Sequence, residues 1–250
     1  MRMNEWRIFP LNLGRGPRDK SFMTYRKDPG VRIEIGFLAF LLICGEEKII
    51  VDTGPPAPEK MAPFHKPYSQ SAEQTMEAQL ARFHTRPEEI HAVINTHLHW
   101  DHCYRNSLFT RAAFYVQKRE LDYARNPLHL HLETYETGQK GIVPPFEGID
   151  FHTIDGDVEL RPGIDLILTP GHSLGMQTVG VQTREGLYLI AGDTIPLYDN
   201  LAVPEGELPI PNALHVDLRE YVASLKKMKQ LGGRILPGHE LKVLEKAEYP

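Results

Sequence analysis

The segment Thr96-His97-Leu98-His99-Trp100-Asp101-His102 packs three imidazoles and one carboxylate into six residues. Imidazole nitrogen and carboxylate oxygen suit zinc, and manganese, iron or cobalt as well. His97 and His99 alternate, so an extended chain points both to one side. Asp101 and His102 fall where the chain would turn, within reach of a second position. Four such residues cannot by themselves satisfy two ions. Further donors stand downstream: His172 in Thr169-Pro170-Gly171-His172, Asp193 in Ala191-Gly192-Asp193, and His239 in Pro237-Gly238-His239. Each follows an apolar segment directly, and each is preceded by Gly, which lets the backbone turn sharply. Strand ends presented at one edge of a sheet are where such ligands would converge.

The elements that must position these residues are legible from periodicity. Arg32–Cys44 and residues 48–51 are apolar and β-branched around Gly45-Glu46-Glu47, a hairpin pattern. Asp52-Thr53-Gly54 follows, then a loop with Pro55, Pro56, Pro58, Pro63 and Pro67. Ser71 and Gln74 form a capping-box pattern that opens a helix to about His84, with Met76, Leu80 and Phe83 on its apolar face. Short strands are expected at 92–95 and 114–116. Residues 118–148 read as a polar insertion with a helix-like start. Strands resume at 150–154, 165–169, 177–182 and 187–191. Asp217 and Glu220 make a second capping box, opening a helix with the stripe Leu218, Tyr221, Val222, Leu225 and Met228. Gly232 matches its left-handed cap, and a strand at 234–236 follows. There is no internal repeat and no linker, so residues 1–250 are expected to form one domain with a two-sheet core covered by helices.

Composition narrows the function classes. The 250 residues carry 28 Lys and Arg against 33 Asp and Glu, a net charge of −5. A chain of this length buries roughly 70–75% of its unfolded surface without disulfide staples. Mild acidity argues against nucleic acid or an anionic membrane as the main partner. The apolar run 37–44 is far short of the ~20 residues of a membrane helix and reads as a buried strand. Residues 1–13 mix Arg2, Asn4, Glu5 and Arg7 with apolar side chains, unlike a signal peptide. Cys44 and Cys103 form no CxxC pair, and a cytoplasmic location is the simplest expectation. Of the 12 histidines, seven (His65, His84, His91, His129, His131, His152 and His215) are expected outside the site. Cys103 is expected to be a bystander beside His102.

The HxHxDH segment, then a lone His, a lone Asp and a lone His, together with Val51-Asp52-Thr53-Gly54, resembles the metallo-β-lactamase superfamily. The resemblance runs from Val51 to His239. It implies an α/β fold, an αββα sandwich of two mixed β-sheets flanked by helices. It further implies two divalent metal ions, zinc foremost. His97, His99 and His172 would hold one, Asp101, His102 and His239 the other, and Asp193 would bridge them. Asp52 would steady the site. The implied chemistry is attack by a metal-bridging hydroxide on an electrophilic carbonyl, with Asp101 carrying the proton.

Several branches of the superfamily fit poorly. Asp193 stands where secreted β-lactamases of the Cys-ligand type differ, and His99 stands where flavin-linked diiron members have Glu. Glyoxalase II relatives extend well beyond the last metal His, whereas only 240–250 follow His239 here. The chain is most similar to the N-acyl homoserine lactonases, which implies opening of a lactone ring. The alternative is another ester, a thioester or a phosphodiester. That family places a Tyr after the bridging Asp, and Tyr198 is the nearest candidate for a catalytic and substrate-binding role. Phe64, Tyr68 and Trp100 are candidates for an acyl-chain wall. The loop 64–68 would serve a homodimer contact equally well.

Overall fold

A computed structural model describes residues 5–250; Arg2 and Asn4, which entered the signal-peptide reading, lie outside them. Along β2 (Arg32–Cys44), Leu38, Phe40 and Leu42 join one buried cluster while Phe37, Ala39 and Leu41 join another. Successive side chains of a strand point to opposite faces. An unbroken apolar run therefore means that both faces are covered.

A second sheet covers one face and helix residues the other, in a pair of mixed sheets. The first has the order β1 (Arg7–Asp19), β2, β3 (Glu47–Val51), β4 (Ala92–Ile94), β5 (Ala113–Gln117), β6 (Phe151–Ile154). Its pairs are antiparallel from β1 to β3 and parallel from β3 to β6. The second sheet contains β7 (Val158–Arg161), β8 (Ile164–Leu168), β9 (Gln177–Thr183), β10 (Gly186–Gly192) and β11 (Arg234–Pro237), in the order β11-β10-β9-β8-β7. All its pairs are antiparallel except β10 with β11. The short helices α1 (Lys20–Met23), α2 (Met76–Ala81), α3 (Trp100–Cys103), α4 (Lys118–Arg125) and α5 (Leu132–Tyr135) precede the long α6 (Leu218–Leu231).

The layers follow from which residues share a cluster. Leu38, Phe40, Leu42, Ile49, Val51 and Ile94 of the first sheet meet Ile164, Leu166, Val179, Val181, Ile190 and Leu236 of the second. Outside the first sheet, Leu41, Ile50 and Val93 pack on Met76 and Leu80 of α2. Outside the second, Ile167, Leu189 and Ala191 pack on Tyr221, Leu225 and Met228 of α6. The order is helix, sheet, sheet, helix, as the resemblance implied. Asp217 caps α6 by accepting from the Arg219 and Glu220 amides at 2.8 and 3.0 Å, and Gly232 ends it in the left-handed region at φ 69°. The reciprocal half of that capping box is replaced, because the Glu220 carboxylate takes both its bonds from Arg119 of α4.

Three departures have local causes. No local pattern predicts strand β1, because Pro10, Gly14, Gly16 and Pro17 interrupt its alternation. It is an edge strand with a register shift between Asn12 and Arg15, and an edge tolerates Pro because one side needs no ladder donor. The helix expected at 71–84 is a 3-10 turn, Ala72–Gln74, followed by α2, which Thr75 caps through the Ala78 amide at 3.2 Å. The polar insertion at 118–148 contains α4 and α5. Truncating the fully buried Leu42 between the sheets should cost about 2–5 kcal/mol, read as a lower denaturation midpoint of Leu42→Ala with an unchanged slope.

Candidate metal centre

The candidate ligands leave their strands at one edge of the sandwich. His97 and His99 follow β4, and one turn of α3 then carries Asp101 and His102. His172 follows β8, Asp193 follows β10 and His239 follows β11. Pairing parity makes β8, β10 and β11 parallel to one another, so their carboxyl ends share that edge. Asp52, after β3, lies beside them because β3 and β4 are parallel. Gly171 is needed where it stands. Its φ is 138°, and a Cβ there would lie 2.4 Å from Tyr221 Cα. The loop before His172 is thus seated directly on α6.

The donor atoms fall into overlapping groups, each within 4.8 Å: His97, His99, His172; His97, His102, Asp193; and Asp101, His102, His239. Asp193 lies between the outer two. Its Oδ2 is 3.3 Å from His172 Nε2, while its Oδ1 is 3.3 Å from His102 Nε2 and 2.9 Å from His239 Nε2.

Hydrogen bonds behind the rings decide which nitrogen faces this centre. His172 Nδ1 is 2.7 Å from the Leu214 carbonyl and His239 Nδ1 is 2.8 Å from the Gly36 carbonyl. A carbonyl only accepts, so both Nδ1 atoms carry hydrogen and, in a neutral ring, Nε2 keeps its lone pair. His102 Nδ1 donates likewise to Asp52 Oδ2 at 2.8 Å. The Thr96 hydroxyl donates to the same Asp52 oxygen at 2.8 Å, so its oxygen accepts from His97 Nδ1 at 3.0 Å. His99 is reversed, with its Nδ1 only 3.0 Å from His172 Nε2. Among the described residues, His97 Nε2, His102 Nε2 and Asp193 Oδ1 are buried with no contact of hydrogen-bond geometry, despite the short distances around Asp193. Orphaned buried polar atoms are costly and need an explanation. Imidazole and carboxylate donors aimed at one point fit a divalent cation.

The charges divide the site. Burial, then neighbouring imidazoles, hold His97 and His99 well below the usual histidine pKa, and burial also lowers His172. Burial opposes charge on His102 too, but Asp52, Asp101 and Asp193 together outweigh it and raise its pKa well above the usual value. Asp193 does the same for His239. Burial would raise Asp193, yet His239, His172 and His102 carry it well below the usual carboxylate range. A cation-free centre therefore favours protons on His102 and His239, and these compete with an entering cation.

Phe64, Tyr68 and Trp100, expected to meet substrate, lie in one aromatic cluster around His65 and Phe37, and Tyr198 lies elsewhere. Trp100 stacks on His65 at 4.0 Å and, with Tyr68, packs around Phe37. The Tyr68 hydroxyl is already engaged by the Pro56 carbonyl. Phe64 is half-buried against His65. Tyr198 is not brought to the histidines. It opens the 3-10 turn Tyr198–Leu201, its amide donates to Glu240, and its ring lines a cleft of about 560 Å³ with Tyr188, Arg234 and Tyr249. A smaller cavity of about 130 Å³ adjoins the ligands, lined by His99, His172, His131, Thr134, Leu214 and His215. His131 and His215 were expected elsewhere; nothing in their local pattern marks them, because separate loops bring them here. Cys103 is buried, its thiol donating to the Leu98 and His99 carbonyls at 3.4 Å.

Buried imidazole and carboxylate donors converging at the edge of facing mixed sheets define a candidate metal centre. Residues 38–239 match the family described as the Metallo-beta-lactamase superfamily, and the chain belongs to it. The N-acyl homoserine lactonase of Bacillus thuringiensis is 28% identical over 249 residues, 94% of this chain and 93% of that relative. A crystal structure of a quorum-quenching N-acyl homoserine lactone lactonase superposes with a TM-score of 0.78 at 26% identity, covering 97% of this chain and 95% of the other. An N-acyl homoserine lactone hydrolase with the product N-hexanoyl-L-homoserine at its catalytic metal center gives 0.77 at 25% identity, covering 94% of each chain.

Zinc loading of the metal-free protein near pH 7 should release protons, because the raised pKa values of His102 and His239 favour protons that the entering cation must displace. Titration calorimetry in buffers of different ionisation enthalpy checks this, and a buffer-independent heat contradicts it. The release should vanish once the pH exceeds both raised values. Asp52→Ala, which frees the rings of His102 and His97 from behind, should weaken zinc binding roughly 10–100-fold in a chelator competition.

Proposed function

We propose that the protein is a dinuclear metal-dependent lactonase that opens the ring of N-acyl homoserine lactones. The observation that carries this reading is Asp193, whose two oxygens are turned to two different ligand groups. His97, His99 and His172 would hold one cation, Asp101, His102 and His239 the other, with Asp193 between. Two bound cations would supply Lewis acidity towards the lactone carbonyl and bring a water's pKa towards neutrality. The similarity to lactonases along almost the whole chain supports the substrate class.

The chain's own groups then have defined tasks. Asp52 fixes the His102 ring and, through Thr96, the His97 ring. Asp101 stands at the rim, its side chain 16% exposed and its Oδ1 3.9 Å from His102 Nε2. It is placed to take a proton from the attacking water and return it to the departing ring oxygen. That oxygen stays tethered to the product, which is the open-chain hydroxy acid. The cavity beside His99 and His172 offers Leu214 and Val216 to an acyl chain and His131 and His215 to its amide. Phe64 forms an aromatic flank, backed by Trp100 and Tyr68.

Hydrolysis of N-acyl homoserine lactones of several chain lengths, with metal quantified in the same sample, tests the proposal. Turnover should accompany close to two metals per chain, and His102→Ala should reduce it to background. A fully active metal-free protein would sink the reading. Rapid turnover of thioesters, aryl esters or phosphodiesters with none of lactones would move the substrate class and leave the metal chemistry standing.

A further inference from the structure

Glu120 lies in the first turn of α4, within the segment that reads as a polar insertion, and is fully buried. Its Oε1 accepts from the Leu98 amide and the Tyr135 hydroxyl, both at 3.0 Å. Its Oε2 accepts from the Ser173 hydroxyl at 2.6 Å and the Gly175 amide at 3.0 Å. None of these four donors is charged. Leu98 sits between His97 and His99, and Ser173 directly follows His172. The Tyr135 ring stands edge-on to His99, with centroids 4.8 Å apart. Helix α4 rests on the second loop so closely that a Cβ at Gly175 would come within 2.2 Å of the Glu120 nitrogen.

One carboxylate thus ties together the two loops that carry His97, His99 and His172. The first of these loops runs on into Asp101 and His102, but none of the four partners lies on the loop that carries His239. We propose that Glu120 is a positioning residue for the triad His97, His99 and His172, holding its two loops in register so that this cation site is formed in advance. The proposal rests on the reading of the triads as two metal sites. A carboxylate is required because four donors converge on it. An amide in its place turns an NH2 group towards two of them, and at least one backbone or hydroxyl donor loses its acceptor.

Competition with a chelator, measured on single-site chains, tests this. His239→Ala disables the second triad and His172→Ala the first. Adding Glu120→Gln should weaken zinc binding roughly 10–100-fold in the His239→Ala chain and by less than about threefold in the His172→Ala chain. Ser173→Ala removes one donor only. It should give a smaller loss with the same selectivity, and it replaces Glu120→Gln if circular dichroism shows that variant unfolded. Asp122→Asn, on the exposed side of α4, should leave both affinities unchanged. Equal weakening of both sites would show general loosening and overturn the proposal, as would no weakening of either. An unsubstituted chain that binds no zinc would instead overturn the metal reading itself.

Discussion

Five imidazoles converge in one buried centre, and each can serve only if a chosen nitrogen presents a lone pair inward. An imidazole has two nitrogens, and nothing intrinsic to the ring selects between them. For four of the five the selection is made from behind, by a fixed acceptor for the other N–H. The Leu214 and Gly36 carbonyls do this for His172 and His239, and Asp52 does it for His102. For His97 the acceptor is a threonine oxygen, itself oriented by donating to Asp52. The sandwich has to bring β2, β3, β4 and the loop before α6 to one edge to supply these acceptors. The layered fold is, in this sense, a frame for ring orientation.

That requirement explains why so much polarity is buried near the edge. Asp52 sits at φ 60°, an unfavourable backbone region for a residue with a Cβ, and takes three hydrogen bonds there. Glu120 takes four. Asp193 is held ionised by its histidines against the effect of burial. A core filled with apolar side chains would be easier to form, so these residues mark where stability has been given up for the shape of the centre.

Much of this was legible in the amino-acid sequence. The alternation of His97 and His99, the turn at Asp101 and the Gly-preceded His172, Asp193 and His239 select the residues that the fold brings together. The run 37–44 shows a strand buried on both faces, and Asp217 and Gly232 mark both ends of α6. What the sequence does not disclose depends on partners that are distant in the chain. Strand β1 pairs only at an edge, which no local pattern reveals through Pro10 and Pro17. Tyr198 lies five residues after Asp193, yet the 3-10 turn directs its ring into another cleft. Glu120 has one weak local signal, a charged residue four places before the buried Ala124 and next to the buried Leu121. His131 and His215 have none, because only the closed fold sets them beside His99 and His172.

The supports behind the rings differ in kind, and the difference bears on how such a centre can change over generations. The acceptors for His172 and His239 are main-chain carbonyls of Leu214 and Gly36, 42 and 203 residues away in the chain. No single codon change deletes a carbonyl, so the orientation of these two rings is shielded from point mutation as long as the backbone keeps its path. The supports of His97 and His102 are side chains, Thr96 and Asp52, and any substitution there reaches the centre at once. Inherited variation in metal preference would thus enter through the half of the site built on β3 and β4, while the half facing α6 and β2 stays nearly constant.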